Sequence, residues 1–526
     1  MMMVVLRAVD REAMIARPLK FRTVKLILVN GTKSNIAAAP IIATREVDLL
    51  VRNEEAPVES HEVLVLGTGL AGMSAALSAR ENGAAVTVID KAPEASRGGN
   101  TRFSGGALRC PTAENPPDAL VDELDRMTKG RANRALARTL YGRGEEDVKW
   151  LIGLGAPLGP PGAERPDLRG GKMSYHVSGN GYGLVESLYP RLAERDIKCR
   201  FETKATEFLT DAGGHVVGVR AKTRSGYVDL LARAVVLATG GFQANTEMRV
   251  RYLGREASNL VVRGSKYDTG DGIRLAMAIG GQSVGDWGGF HSAVMDARSE
   301  PVEAGETNIN SYPYTIMVNR NGERFVDEGE DFFDTTYVKY GKAIIAQPGS
   351  IAYCLFDAKV AEQELVYCLH REFEPVDANS IARLAQKLAI PGDKLQATVD
   401  AYNAAVQPGE FDPERRDGKS TSGVNPPKSN WAQTLDTPPF FAFPVTGGVT
   451  FTLGGLRVDE RARVIDTEDR AIPGLYAAGE LIGGLFYDNY PGGASLLRSL
   501  VFGRLAGKEA AALAQAQSKQ VGNAAS

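Results

Sequence analysis

The sequence predicts an α/β protein built on a Rossmann-like dinucleotide-binding domain. Three observations carry that expectation. A strand, a glycine turn, a helix and a second strand follow in register between Glu62 and Asp90. A second glycine-rich loop runs from Lys91 to Gly106, and a glycine pair, Gly492 and Gly493, opens a helix near the far end of the chain.

The first unit has its full context. Glu62-Val63-Leu64-Val65-Leu66 reads as a short buried strand, Gly67-Thr68-Gly69-Leu70-Ala71-Gly72 follows at once, and Met73 to Asn82 reads as an Ala-rich helix ending at Gly83. Ala85 to Ile89 forms the second strand, and Asp90 stands at its end. The glycines suit a tight turn, close approach of backbone to a pyrophosphate and packing of helix on strand, while the helix N-terminus attracts phosphate. An acid at that place offers two acceptors to the two ribose hydroxyls. Gly67, Gly69, Leu70, Ala71, Gly72 and Asp90 are therefore expected at a dinucleotide, against the plain alternative of an ordinary βα turn in a chain with 58 glycines.

Where a nicotinamide dehydrogenase would continue its sheet, this chain reads KAPEASRGGNTRFSGG from Lys91 to Gly106. Ala238-Thr239-Gly240-Gly241 follows the apolar strand Ala234 to Leu237, then come Thr269-Gly270-Asp271-Gly272, Gly474 to Glu480, and the helix from Ala494 to Gly507. In this order the motifs resemble the fumarate reductase and succinate dehydrogenase flavoprotein family. The resemblance implies FAD, held through Lys91, Gly98, Gly99, Asn100, Thr101, Ser104, Gly105, Gly106, Ala205, Thr239, Gly240, Gly241, Asp271, Gly479, Glu480, Ser495 and Leu496. It also implies a Rossmann-like FAD-binding domain interrupted by an α+β capping domain. The FAD is expected to be non-covalent, because Gly99 occupies the place of the histidine through which succinate dehydrogenases attach flavin.

The organisation follows from where these motifs stop and resume. Residues 1–57 read as a flexible extension, 58–286 and 438–518 as the two parts of the FAD-binding domain, 287–437 as the cap and 519–526 as a tail. Within the cap, Thr315 to Val326 reads as a hairpin turning at Arg320-Asn321-Gly322. Ile381 to Leu388 and Lys394 to Asn403 read as helices, and Gln407 to Ser429 as a surface excursion. With 526 residues, 43% hydrophobic, the chain is long enough for several cores. A net charge of −3 gives no reason to expect nucleic acid. No apolar run reaches the ~18 residues that span a bilayer, and no signal peptide pattern stands out around Leu26-Ile27-Leu28-Val29. Cys110, Cys199, Cys354 and Cys368 form no CxxC, which argues against zinc, iron-sulfur or disulfide-reductase chemistry and fits a reducing cytoplasm. No metal site is expected.

The substrate side departs from the reductase pattern at three places. Phe451, in Thr450-Phe451-Thr452-Leu453-Gly454-Gly455, stands where the family's substrate-binding histidine belongs. Tyr490, in Asn489-Tyr490-Pro491-Gly492-Gly493, replaces its carboxylate-binding arginine. Asp327 to Tyr337 contains no arginine to act as the cap's proton donor. A tyrosine before Pro-Gly resembles steroid dehydrogenases that desaturate a ring beside a ketone. The stretches Arg263 to Gly272, Gly322 to Gly329, Tyr337 to Gly341 and Gly479 to Gly493 resemble tricarballylate dehydrogenases more broadly. These resemblances imply α,β-desaturation beside a carboxylate or ketone, with hydride passing to flavin N5. Three other readings stay open: a ketosteroid-type dehydrogenase, a fumarate-reductase-like enzyme, and a hydratase or isomerase that carries FAD.

The catalytic candidates are Tyr490, His291, His176 and Tyr337. Tyr490, with an ordinary pKa of about 10, needs a nearby cation to act as a base. Otherwise it donates a hydrogen bond to substrate or merely packs. Arg109 is a weaker candidate, Arg324 belongs with the hairpin and Arg498 with the last helix. The helix starting at Ser495 is placed to present N–H groups and its positive end to the reduced ring. The resemblance to tricarballylate dehydrogenases further implies a membrane-bound iron-sulfur partner, which would make the chain peripheral to the membrane through that partner.

Overall fold

The computed structural model describes residues 56–159, 175–305, 307–363, 365 and 373–525. The expected N-terminal extension, except its last two residues, and Cys368 lie outside them. Among the described residues no helix is long and apolar enough to cross a membrane.

An eight-stranded sheet forms the first layer. Its main path runs Arg463–Ile465, Ala471–Ala477, Gly226–Leu237, Val58–Leu66, Val86–Ile89 and Lys198–Arg200. Val63 to Leu66 sit at its centre, paired in parallel with Val86–Ile89 on one side and Ala234–Leu237 on the other. All four are buried, as a near-continuous aliphatic run in a parallel sheet covered on both faces requires. Two further strands, Lys204–Thr210 and Val216–Thr223, extend it as an antiparallel flap.

The helix Leu70–Glu81 covers this sheet and is buried from Leu70 to Ala79. Its alanines, glycine and serines allow an unusually close partner, the C-terminal helix Ala494–Ala525. A Cβ on Gly503 would lie 2.5 Å from the Ala71 carbonyl oxygen, and one on Gly507 would lie 2.1 Å from that of Ala75. The Ser78 hydroxyl donates to the Arg504 carbonyl at 2.7 Å. Chain ends far apart in sequence are thereby locked together, and both helix N-termini meet at one cleft.

The second layer is a six-stranded sheet centred on the long strand Phe440–Leu456. It pairs antiparallel with Ser283–Asp296 and with Ala352–Asp357. The division drawn from sequence between residues 286 and 287 falls inside Ser283–Asp296, so one strand serves both regions. The helices Ile381–Leu388 and Gly392–Ala405 form where expected.

The hairpin forms only next to its turn. Ile316–Asn319 pairs with Ala352–Asp357 on one edge, and on the other the returning segment makes a single bridge between Val318 and Arg324. The turn itself is real, since the Asn319 side chain accepts from Asn321 N and Glu323 N. Asn319 N also donates to Glu323 O at 2.9 Å, and the local pairing goes no further than Arg324, whose guanidinium is held by Glu328 and the Pro426 carbonyl. The 407–429 excursion is not uniformly superficial, for Lys428 at its end is buried and donates to Pro313 O and Thr315 O.

Candidate active site

One cleft of about 480 Å³ gathers the two glycine signatures, the second glycine-rich loop and residues of the six-stranded sheet. Of the residues expected at a dinucleotide, all line it except Gly72, Gly98 and Gly241. Those three are glycine for reasons of packing. A Cβ on Gly72 would lie 1.9 Å from Gly67 O, one on Gly98 2.7 Å from Val185 Cγ2, and one on Gly241 2.0 Å from Glu480 Oε1. Gly69 is the opposite case. It has an ordinary φ of −65°, and a Cβ there would meet no protein atom closer than Thr101 Oγ1 at 3.6 Å. Its missing side chain leaves space in the cleft itself, as close approach of backbone to a pyrophosphate needs.

The polar groups around this cradle are ordered. Asp90 accepts from Thr68 N at 2.9 Å and from the Thr68 hydroxyl at 2.5 Å. Thr101 Oγ1 accepts from Leu70 N, tying the second loop to the first helix. Lys91 pairs with Asp271 at 2.6 Å. Burial pushes the Asp271 carboxyl up, but Lys91 and Lys204 overcome it and hold the group at about 2. The first turn of the C-terminal helix, with Ser495 and Leu496, lines the cleft, where first-turn N–H groups and the positive end of the dipole favour an anion.

Glu480, expected at the cofactor from sequence, forms with Asp268 and Gln243 an acidic cluster at the cleft that the sequence does not announce. Gln243 Nε2 donates to Asp268 Oδ2 at 2.9 Å and Glu480 Oε2 at 3.4 Å, and Thr452 N donates to Glu480 Oε1. Burial raises the Glu480 carboxyl to about 7, against the opposing pull of Thr452 N–H and Arg498. Burial, then the Glu480 charge, raises Asp268. A carboxyl raised by folding stabilises the protein at low pH, and that contribution is lost as pH rises through the folded value. Relative to Glu480→Gln, the flavin-free protein should therefore lose thermal stability between about pH 4.5 and 7; the comparison cancels His291, whose lowered value acts with the opposite sign over the same range. Melting temperatures across this range, with equal slopes in the two proteins as the contrary result, check it.

Phe451, His291, Tyr337 and Tyr490 line the same cleft as a group. The strands Ser283–Asp296 and Phe440–Leu456 shift register beside His291, so that His291 faces Phe451 while Ser292 faces Val449 and Thr450 is passed over. Such a bulge re-aims side chains. His291 stacks on Phe451 with centroids 5.0 Å apart, and Tyr490 sits edge-on to both at 5.1 and 4.9 Å. Tyr337 arrives on the helix Phe333–Ile345. That helix docks through Gly341, whose added Cβ would lie 2.0 Å from the Ser292 hydroxyl, and Tyr337 lies one turn earlier on the same face. Its hydroxyl is 2.7 Å from His291 Nε2 and also hydrogen-bonds Tyr490.

Burial, reinforced by Arg263 and Lys342, lowers His291 well below its ordinary value, so the ring is neutral at pH 7. Burial raises the Tyr490 phenol despite Tyr337, Arg263 and Arg498, so this hydroxyl keeps its proton. Of the alternatives open from sequence, a donor role fits Tyr490 and a resting base does not. Arg498 is fully buried in the last helix and donates to Ile482 O at 3.2 Å.

His176 is the catalytic candidate that the fold leaves out. It pairs with Ala107 in a short two-stranded sheet and does not line the cleft. Arg109 does line it, but its guanidinium is held by Glu123 at 2.6 and 3.1 Å. The structure adds Arg263, Asn308 and Asn310 to the same cleft. Only Arg263 had a signal in the sequence, a basic residue immediately before the Gly264 to Gly272 motif.

A glycine cradle open to a pyrophosphate, two converging helix N-termini and an adjoining wall of proton-bearing groups define a flavin-dependent oxidoreductase. The family described as FAD binding domain matches residues 62–497, and the chain belongs to it. A relative, the fumarate reductase (cytochrome) of Shewanella frigidimarina, is 32% identical over 477 residues, covering 87% of this chain and 78% of the relative. The 4-oxocyclohexanecarboxylate 2-dehydrogenase of Sinomonas cyclohexanicum is 27% identical, covering 86% and 93%. The open conformation of a flavocytochrome c3 fumarate reductase superposes with a TM-score of 0.72 at 26% identity, covering 87% of this chain and 79% of that one. The protein is an FAD-dependent oxidoreductase of the fumarate reductase family, acting on carbon–carbon single or double bonds.

Proposed function

We propose that the protein desaturates a CH–CH bond beside a carboxylate or ketone, with Tyr490, Tyr337 and His291 as its proton-handling groups. The observation that carries this reading is the continuous hydrogen-bonded line from Tyr490 through Tyr337 to His291 Nε2. FAD, when bound in the cradle, supplies the hydride acceptor; with Gly99 at the position of the attachment histidine, it is held without a covalent bond.

Tyr490 keeps its proton and donates a hydrogen bond to the substrate carbonyl or carboxylate oxygen, which acidifies the neighbouring C–H. Tyr337 removes the proton from that carbon and passes its own to His291 Nε2, which is neutral and has an open lone pair; burial disfavours the imidazolium, so the transfer is coupled to loss of hydride from the substrate. Phe451 fills the place of the family's histidine and holds His291 flat by stacking. Residues 287–437 act as the cap, bringing Tyr337 over the cleft and excluding water. The Sinomonas relative is named for a substrate carrying both a ring ketone and a carboxylate, which supports both substrate classes. A tricarballylate-like polycarboxylate is a second substrate of the same kind, and a separate iron-sulfur protein is the proposed electron partner.

Tyr337→Phe tests the relay. The variant should slow substrate-dependent flavin reduction by about 100-fold or more. It should also remove the acid limb that wild type shows where His291 protonates, below its ordinary value of about 6.5. Flavin reduction at the wild-type rate, with an unchanged pH profile, would remove Tyr337 and His291 from the reaction.

A further inference from the structure

Four cations line the cleft: Lys91, Arg109, Lys204 and Arg263. Lys91 and Lys204 both pair with Asp271, at 2.6 and 3.3 Å, and Arg109 pairs with Glu123 at 2.6 Å. Arg263 alone has no carboxylate partner among the described residues. Its side chain makes one long contact, Nη1 to Thr450 Oγ1 at 3.4 Å, and its Nε is buried with no partner.

The backbone explains why the guanidinium stands there. Arg263 follows the short strand Val261–Val262, which runs parallel to Gly448–Val449, and Arg263 N donates to Val449 O at 3.0 Å. It therefore lies beside the register shift that turns His291 and Phe451 into the cleft. Thr450 links the two walls, since its carbonyl accepts from Asn100 Nδ2 of the cofactor loop at 2.6 Å. Arg263 is close enough to His291 and Tyr490 for its charge to act on both. A cation held in a partly enclosed cleft without a counter-charge is costly unless a ligand completes it. The anion of the cofactor has its own donors at the glycine turn and the helix N-termini.

We propose that Arg263 is the substrate's carboxylate anchor and the specificity-determining residue of this site, taking over from an arginine at the position that Tyr490 occupies. The inference rests on the wall of Tyr490, Tyr337 and His291 being the substrate side. A planar guanidinium grips a carboxylate through two parallel N–H···O bonds. The carboxylate is then fixed at Arg263, and Tyr490 is left to address a second oxygen of the same substrate. An acid bearing another carboxyl or a ketone is preferred over a plain ketone.

Anaerobic calorimetric titration of the FAD-loaded protein, its flavin first reduced with dithionite so that no hydride can be accepted, with succinate, tricarballylate and 4-oxocyclohexanecarboxylate, each against its methyl ester, tests this without turnover. Wild type should prefer the acids. Arg263→Met should weaken acid binding by about tenfold to a hundredfold and leave ester binding unchanged, while Arg263→Lys should fall between, keeping the charge and losing the paired geometry. Flavin content and flavin midpoint potential should stay at wild-type values in both variants. The proposal is overturned if wild type shows no preference for any acid over its ester, or if Arg263→Met and Arg263→Lys bind acids as wild type does. It is also overturned if the variants lose flavin or shift its potential while keeping the acid preference. If Arg263→Met does not fold, Arg263→Lys alone decides: weaker acid binding with unchanged ester binding supports the anchor, and wild-type acid binding overturns it. A protein that binds acids through Arg263 yet reduces no flavin would instead overturn the desaturation reading.

Discussion

Tyr490→Phe should lower turnover by about 100- to 10,000-fold while leaving the fold and bound flavin intact. The substitution removes one hydroxyl and keeps the ring, whose contacts with Phe451, His291 and Phe486 at 4.9, 5.1 and 5.5 Å are what holds the loop. The lost group is the hydrogen-bond donor to the substrate oxygen, so flavin reduction on rapid mixing should slow far more than substrate binding weakens. Turnover near wild type would make Tyr490 a packing residue.

Alanine at two glycines of the first signature should have opposite consequences. In Gly72→Ala the new methyl would lie 1.9 Å from the Gly67 carbonyl oxygen, inside the turn itself. Neither backbone can withdraw without separating helix from strand, and a loss of about 3 kcal/mol or more of stability is expected. In Gly69→Ala the methyl meets only Thr101 Oγ1 at 3.6 Å and Gly98 O at 3.7 Å, both ordinary contacts, and the backbone angles suit alanine. The flavin-free protein should therefore melt as wild type does, whereas FAD affinity should fall about tenfold or more, because the methyl occupies the path of the pyrophosphate. Melting curves with and without FAD separate the two. Equal destabilisation by both substitutions would show that Gly69 is also a packing glycine.

The Rossmann unit was readable because its signals are local. A buried aliphatic strand, a glycine-rich turn and an acid at the next strand end depend on neighbours in sequence, and Gly67, Gly69 and Asp90 fall where those signals place them. The substrate wall was readable only by its departures. Phe451 and Tyr490 stand out against a family pattern, but that they stack with His291 follows from a register shift between two strands far apart in sequence. Tyr337 reaches them because Gly341 lets a helix settle on Ser292, which no periodicity announces. Arg263 was overlooked because an arginine is informative only when its partners are known; among the described residues, it has no carboxylate. The hairpin stops short of its expected length because Asn319 to Glu323 turns as its residues predict, but the Arg324 side chain is held by Glu328 and the Pro426 carbonyl.

Anaerobic mixing of the yellow FAD-loaded protein with saturated carboxylates and cyclic ketones tests the central claim most directly. The flavin band should bleach with one or more of them in wild type, and far more slowly in Tyr490→Phe. Turnover of such a substrate with no bleaching and no need for an electron acceptor would contradict the desaturation reading and make the protein a hydratase or isomerase that carries FAD.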